Sequence, residues 1–174
     1  MKIPAISRSY IQIAFVVEDI DAAMQRWIEK MGVGPFYVIR HAKMDELRYR
    51  GKDVFVDASF AMAQAGNIQI ELCQQHNDAP SAYRDSFAPG EEGMHHMCVV
   101  AKSYDDEMAH YRAKGFEPSM EGRFGQMRFA YVDTRAELGF MTEVIEDWEP
   151  VRTVHRQVAE AAKNWDGKDP VRLL

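Results

Sequence analysis

The feature that most constrains this chain is an internal repeat. An offset of 84 residues carries Gln12, Ile20, Met24 and Trp27 onto His96, Tyr104, Met108 and Tyr111. Each half therefore opens in the same way, with a strand that leads into an amphipathic helix. In the first half Ile11, Ile13, Phe15 and Val17 alternate with Gln12, Ala14 and Val16. Apolar residues then recur at helical spacing from Ile20 to Met31, with Asp19 or Asp21 to cap the helix and Gly32 to end it. In the second half His95 to Ala101 is the strand, and Ser103 caps a helix that runs to about Lys114 before Gly115.

Extended segments follow each helix. In the first half they are Phe36 to His41, Val54 to Gln64 and Asn67 to Cys73, with Lys43 to Asp53 as a charged, exposed link. In the second they lie near Phe116 to Ser119, at Gln126 to Asp133 and at Phe140 to Glu146. The expected architecture is α+β: one domain over 1–174, with a βαβββ module at 10–73, a linker at 74–93 holding a helical turn near Tyr83, and a second βαβββ module at 94–146. A helix over 148–167 closes the chain, from Pro150 at its start to Gly167 past its end. Its stripe of Val151, Val154, Val158, Ala161 and Trp165 packs on its own domain or covers a dimer interface or a substrate mouth.

The last strands of the two halves match at a different offset, 72 residues, which sets Glu71 on Glu143. The 12-residue difference implies a longer connection in the first half, in Lys43 to Asp53, where added loop length costs little. The repeat thus selects four polar residues at equivalent places among apolar neighbours: Gln12, His96, Glu71 and Glu143. Two modules that curl a mixed sheet around a cavity would aim all four inward. An amide, an imidazole and two carboxylates suit a divalent metal ion, and the two carboxylates neutralise its charge. Neighbouring side chains on a strand point to opposite faces, so of the adjacent pair His95 and His96 only one looks into the site. The register with Gln12 selects His96 and leaves His95 as scaffold.

Composition limits the partners. The net charge of −6 argues against nucleic acid and anionic membranes, which leaves small molecules. Cys73 and Cys98 form no C-x-x-C pair, so neither a disulfide framework nor a thiolate zinc site is expected, and a reducing cytoplasm is the expected location. Met1 to Tyr10, with Lys2 and Arg8, carries no apolar stretch of signal-peptide length, and no run approaches the ~18 residues that span a bilayer.

The segments Gln12 to Ile20, Ile70-Glu71-Leu72, Gly93-Met94-His95-His96-Met97-Cys98 and Gly139-Phe140-Met141-Thr142-Glu143-Val144 resemble the vicinal-oxygen-chelate superfamily, which includes glyoxalase I, methylmalonyl-CoA epimerase, extradiol dioxygenases and bleomycin-resistance proteins. The resemblance covers Tyr10 to Glu146. It implies paired βαβββ modules around a metal, with Gln12, Glu71, His96 and Glu143 as ligands in a set most like that of glyoxalase I. The ion would be Zn, Ni, Co, Mn or Fe. Extradiol dioxygenases need two histidines and a carboxylate, and Gln12 stands where that pattern would prefer histidine.

The resemblance further implies an isomerase or lyase that shifts a proton beside a carbonyl of a small organic or thioester substrate, with Glu143 as first candidate base and Glu71 as second. Val16 and Glu92 stand where glutathione-binding arginines would be expected, so the reading is not glutathione-dependent. A homodimer is the expected assembly. The alternative is a metal-free protein of the same fold that binds an apolar small molecule. Arg128 and Tyr131 lie on opposite faces of one strand, so at most one lines the cavity; Phe60 and Met62 are candidates for an apolar wall.

Overall fold

The computed structural model of the chain describes residues 9–174; Lys2 and Arg8 of the expected leaderless N-terminus lie outside the described residues. The alternating stretch forms β1 (Tyr10–Val16) and the periodic stretch α1 (Ile20–Met31). Asp19 caps α1 by accepting from the amides of Asp21 and Ala22, and Gly32 ends it at φ 66°, a left-handed conformation that a side chain would oppose. The chain continues through β2 (Phe36–Ile39), β3 (Asp45–Tyr49), β4 (Lys52–Asp53), β5 (Ala58–Ala65) and β6 (Ile68–Gln75). The second half begins with β7 (Gly93–Ala101) and α2 (Tyr104–Arg112), where the Ser103 hydroxyl accepts from the Asp106 amide. Then come β8 (Pro118–Phe124), β9 (Met127–Val132), a short α3 (Arg135–Leu138), β10 (Met141–Glu146), α4 (Glu149–Ala162) and β11 (Val171–Leu173).

The described strands form one mixed sheet in the order β11-β2-β5-β6-β1-β7-β10-β9-β8-β3-β4. At its centre β1 runs parallel to β6 and β7 parallel to β10, while β1 and β7 are antiparallel. The pairing there is two-fold symmetric. Ala14 faces His96 and Gln12 faces Cys98, while Ala14 also sits beside Glu71 and Cys98 beside Glu143. Because Cys98 lies 84 residues after Ala14, the offset seen in sequence is a local dyad in space.

The two helices of the repeat cover the outer face. Ile20, Ala23 and Met24 of α1 pack on Ala61, Ile70 and Leu72; Tyr104, Met108 and Tyr111 of α2 pack on Ala130, Val132 and Val144. The inner face holds the larger cluster, with Ala14, Cys73, Tyr83, Cys98 and Tyr131. Leu72 is fully buried between β6 and α1. Leu72→Ala should lower unfolding stability by about 2–5 kcal/mol, read in urea as a lower midpoint at unchanged slope.

Three segments depart from the sequence reading. Lys43 to Asp53 is not a bare link: it forms β3 and β4, and β3 joins the second half by pairing with β8. Its charged residues hid the one side chain, Leu47, that it buries, which is how an edge strand commonly looks. Val54 to Asp57 is loop, and the strand starts only at Ala58. The tail helix stops at Ala162, so Trp165 does not extend its stripe. Trp165 packs instead on Gly34, where a Cβ would lie 2.6 Å from the indole, and its Nε1 donates to the Lys168 carbonyl at 2.7 Å. The chain then adds β11 alongside β2.

Candidate metal centre

Each of the four central strands presents one of the selected residues to the inner face: Glu71 from β6, Gln12 from β1, His96 from β7 and Glu143 from β10. Glu71, Ala14 and His96 form one cross-strand row, and Gln12, Cys98 and Glu143 the next. Strands two apart are about 9–10 Å from each other. The small Ala14 side chain leaves room for the long glutamate and imidazole to lean together over it. His96 Nε2 lies 3.4 Å from an oxygen of Glu71 and 3.4 Å from an oxygen of Glu143. One ligand atom from each of the three lies within 4.8 Å of the others, and all three residues are buried. Gln12, also buried, lines the same cavity as the two glutamates, with its Nε2 3.4 Å from the Gln69 side-chain oxygen.

The second histidine is not on the far face. Ala14 pairs with His96 and Phe15 with Met94, so His95 is the extra residue of a β-bulge, and alternation breaks there. His95 Nε2 donates to the Ala82 carbonyl at 2.9 Å, which makes its Nδ1 the acceptor for His96 Nδ1 at 2.8 Å. Burial and the neighbouring His96 push the His95 pKa down to about 3, so this imidazole is neutral. The relay fixes the His96 tautomer and aims its Nε2 at the carboxylates.

That nitrogen is fully buried yet makes no hydrogen bond. Burial alone would favour its neutral form, but the charge of Glu143 and contacts with both glutamates hold the His96 pKa up at about 9. The two carboxylates are not equivalent. Burial raises Glu71, and the contacts with His96 and Cys73 do not cancel it. Burial opposes ionisation of Glu143 too, but the His96 charge and contacts with His96, Cys98 and Tyr131 bring it below the usual range. An orphaned imidazole nitrogen between two carboxylates, with an amide beside them, fits a divalent cation.

The cavity holds about 130 Å³. Phe60, Met62, Met127 and Phe129 make its wall, and Val151, Val154 and His155 of α4 cover it. Val151 and Val154 of the α4 stripe thus face inward over the site. Tyr131 lines the cavity while Arg128 does not; Arg128 pairs with Glu146 at 2.7 Å and Asp105 at 2.8 Å, over the Tyr104 ring. Tyr83, whose hydroxyl meets that of Tyr131 at 2.9 Å, was missed because the turn formers of 74–93 read as a linker. Its signal was the apolar pair Ala82-Tyr83 within that polar stretch. Val16 is buried in the core, and Glu92 lies away from the cavity, paired with Arg26 at 2.7 Å.

The model of the Glyoxalase/Bleomycin resistance protein/Dioxygenase superfamily matches residues 11–131. The chain belongs to this superfamily. Solved structures share the superfamily fold. A hypothetical protein from Bacillus halodurans C-125 is 19% identical, with a TM-score of 0.56 over 82% of this chain and 96% of that one. Methylmalonyl-CoA epimerase from Mycobacterium tuberculosis is 12% identical, with a TM-score of 0.55 over 83% and 91%. A selenomethionine-labelled methylmalonyl-CoA epimerase is 18% identical, with a TM-score of 0.51 over 80% and 95%. No curated protein sequence matches the chain. The superfamily match ends before Glu143, whose place in the site follows from the pairing of β10 with β7.

Proposed function

We propose that the chain is a metal-dependent isomerase or lyase of the glyoxalase and epimerase type, which moves a proton on the carbon beside a carbonyl. The observation that carries this reading is the buried His96 Nε2, which makes no hydrogen bond and lies 3.4 Å from an oxygen of Glu71 and of Glu143. His96, Glu71, Glu143 and Gln12 would hold the ion, one of Zn, Ni, Co, Mn or Fe. When bound, it supplies Lewis acidity to a substrate carbonyl oxygen and so acidifies the adjacent carbon.

The two glutamates then divide the proton work. They reach the cavity from opposite sides of the β1–β7 pair, and their environments push their proton affinities apart. Glu143 is the first candidate to take the proton, and Glu71, on the opposite side, is the candidate to return one. Return of a proton to the same carbon from the opposite face changes its configuration, and return to a neighbouring carbon shifts the double bond.

The substrate end that enters is small, and any carboxylate on it would be met by the ion rather than by a basic side chain. The cavity is walled by apolar side chains and lined by no arginine or lysine among the described residues, which suits the acyl end of a thioester or a small ketone. Nor does anything there grip the carboxylates of glutathione. The epimerase neighbours act on a CoA ester by name, so methylmalonyl-CoA in deuterated water is a suitable first probe. A cytoplasmic homodimer is the proposed setting; a solution mass of only 20.0 kDa would remove the dimer. No helix among the described residues is long and apolar enough to cross a membrane.

Elemental analysis of protein purified without added metal or chelator tests the reading. One divalent ion per chain that His96→Gln abolishes, present as purified or taken up on titration, supports it; no such ion by either route would leave a metal-free binding protein. His95→Gln should weaken metal binding by roughly 10- to 100-fold, because the partner that orients His96 is lost. An unchanged dissociation constant would remove the relay from the account.

A further inference from the structure

A second cluster of metal-ligating side chains stands outside the cavity. Because β5 is antiparallel to both β2 and β6, the end of β2, the start of β5 and the end of β6 fall at the same edge. The Ala42 amide donates to the Ala58 carbonyl at 2.7 Å, and the His76 amide to the Asp57 carbonyl at 2.8 Å. These bonds bring His41, Asp57 and His76 together, with one ligand atom from each within 4.8 Å of the others. His41 Nδ1 is 2.8 Å from an Asp57 oxygen, and the two imidazoles lie 4.5 Å apart with their planes at 33°.

The surroundings hold this arrangement in place. Ser59 Oγ accepts from the His41 amide at 3.0 Å and lies 2.7 Å from His76 Nε2, which orients that ring. His41 sits in the left-handed region at φ 48°, as Glu46 and Arg50 do at φ 50° and 49°. In His41 this conformation turns the imidazole toward Asp57 and His76.

We propose that His41, Asp57 and His76 bind a second divalent cation of the zinc, nickel or copper class. The cluster is open on one side, with 65% of the His41 side chain and 28% of the Asp57 side chain exposed, so an ion enters from solvent and keeps water in its remaining positions. Two imidazoles and one carboxylate match ions of that class better than magnesium or calcium, which prefer oxygen. The bound ion ties together the ends of the three strands that carry Ile39, Phe60, Met62 and Glu71 of the cavity. It is a clamp on the cavity wall, and it does not depend on the metal assigned to the cavity itself.

The test is a calorimetric zinc titration of the full chain, stripped of metal, beside His41→Gly and His76→Gln. Glycine suits the φ of position 41, so the first variant keeps the backbone if the second fails to fold; circular dichroism checks both. The wild type should take up one more equivalent of zinc than either folded variant. If the cavity site binds nothing, the counts become one and zero, and the clamp stands while the cavity reading falls. Equal stoichiometry in the wild type and His41→Gly, or no uptake by the wild type, overturns the proposal.

Discussion

Glu143→Gln should abolish exchange of the substrate's carbon-bound proton with solvent deuterium while leaving the metal content at the wild-type value. The amide oxygen that replaces the carboxylate can still ligate, as the amide of Gln12 is proposed to do, but it takes no proton near neutral pH. Loss of a general base costs roughly 10²- to 10⁴-fold, and here the base also carries part of the ion's charge balance, so the upper end is expected. The fold should survive. Glu143 is one residue on β10, which pairs through its backbone with β7 and β9 regardless of that side chain. The measurement is proton resonance loss in deuterated water with methylmalonyl-CoA as probe, with metal analysis of the same sample. Exchange at the wild-type rate would take the proton-moving role away from Glu143.

The second large effect is on pH dependence. In metal-free protein the folded-state pKa of His96 is about 9, against an ordinary value of 6.5. A raised histidine pKa contributes stability that is fully present below 6.5 and is lost as pH rises through about 9. For so buried a group the loss across that window is about 3 kcal/mol. An ion at Nε2 takes the place of the proton, so metal binding should release a proton below pH 9 and tighten as pH rises toward it. Thermal melts with chelator should therefore fall from pH 6.5 to pH 9, and melts with saturating metal should not. Parallel curves would mean that no ion reaches His96.

Much of the site was legible in the sequence because it rests on symmetry. The two offsets that aligned Gln12 with His96 and Glu71 with Glu143 are the same dyad that pairs Ala14 with His96 and Gln12 with Cys98. The repeat thus gave the central strands and the residues they present. What it left unread falls where local pattern and tertiary role part company. Strict alternation assigned His95 to the far face, but a bulge depends on the pairing of two strands, which no stretch of one strand reveals. Leu47 sits alone among charges, and only its partner β8 makes β3 a strand. Tyr83 lies in turn-forming sequence that becomes part of the cavity because His95 holds the neighbouring Ala82 carbonyl. The stripe on α4 was read correctly as apolar, yet only the folded chain shows that it covers the site.

The central claim is that Glu71, His96, Glu143 and Gln12 together hold one divalent ion inside the sheet. The most direct measurement is a zinc titration of His41→Gly, in which the surface cluster is silent, beside His41→Gly combined with His96→Gln. The account predicts one equivalent bound by the first protein and none by the second, with both folded. Zero uptake by the first, or one equivalent by both, would contradict it.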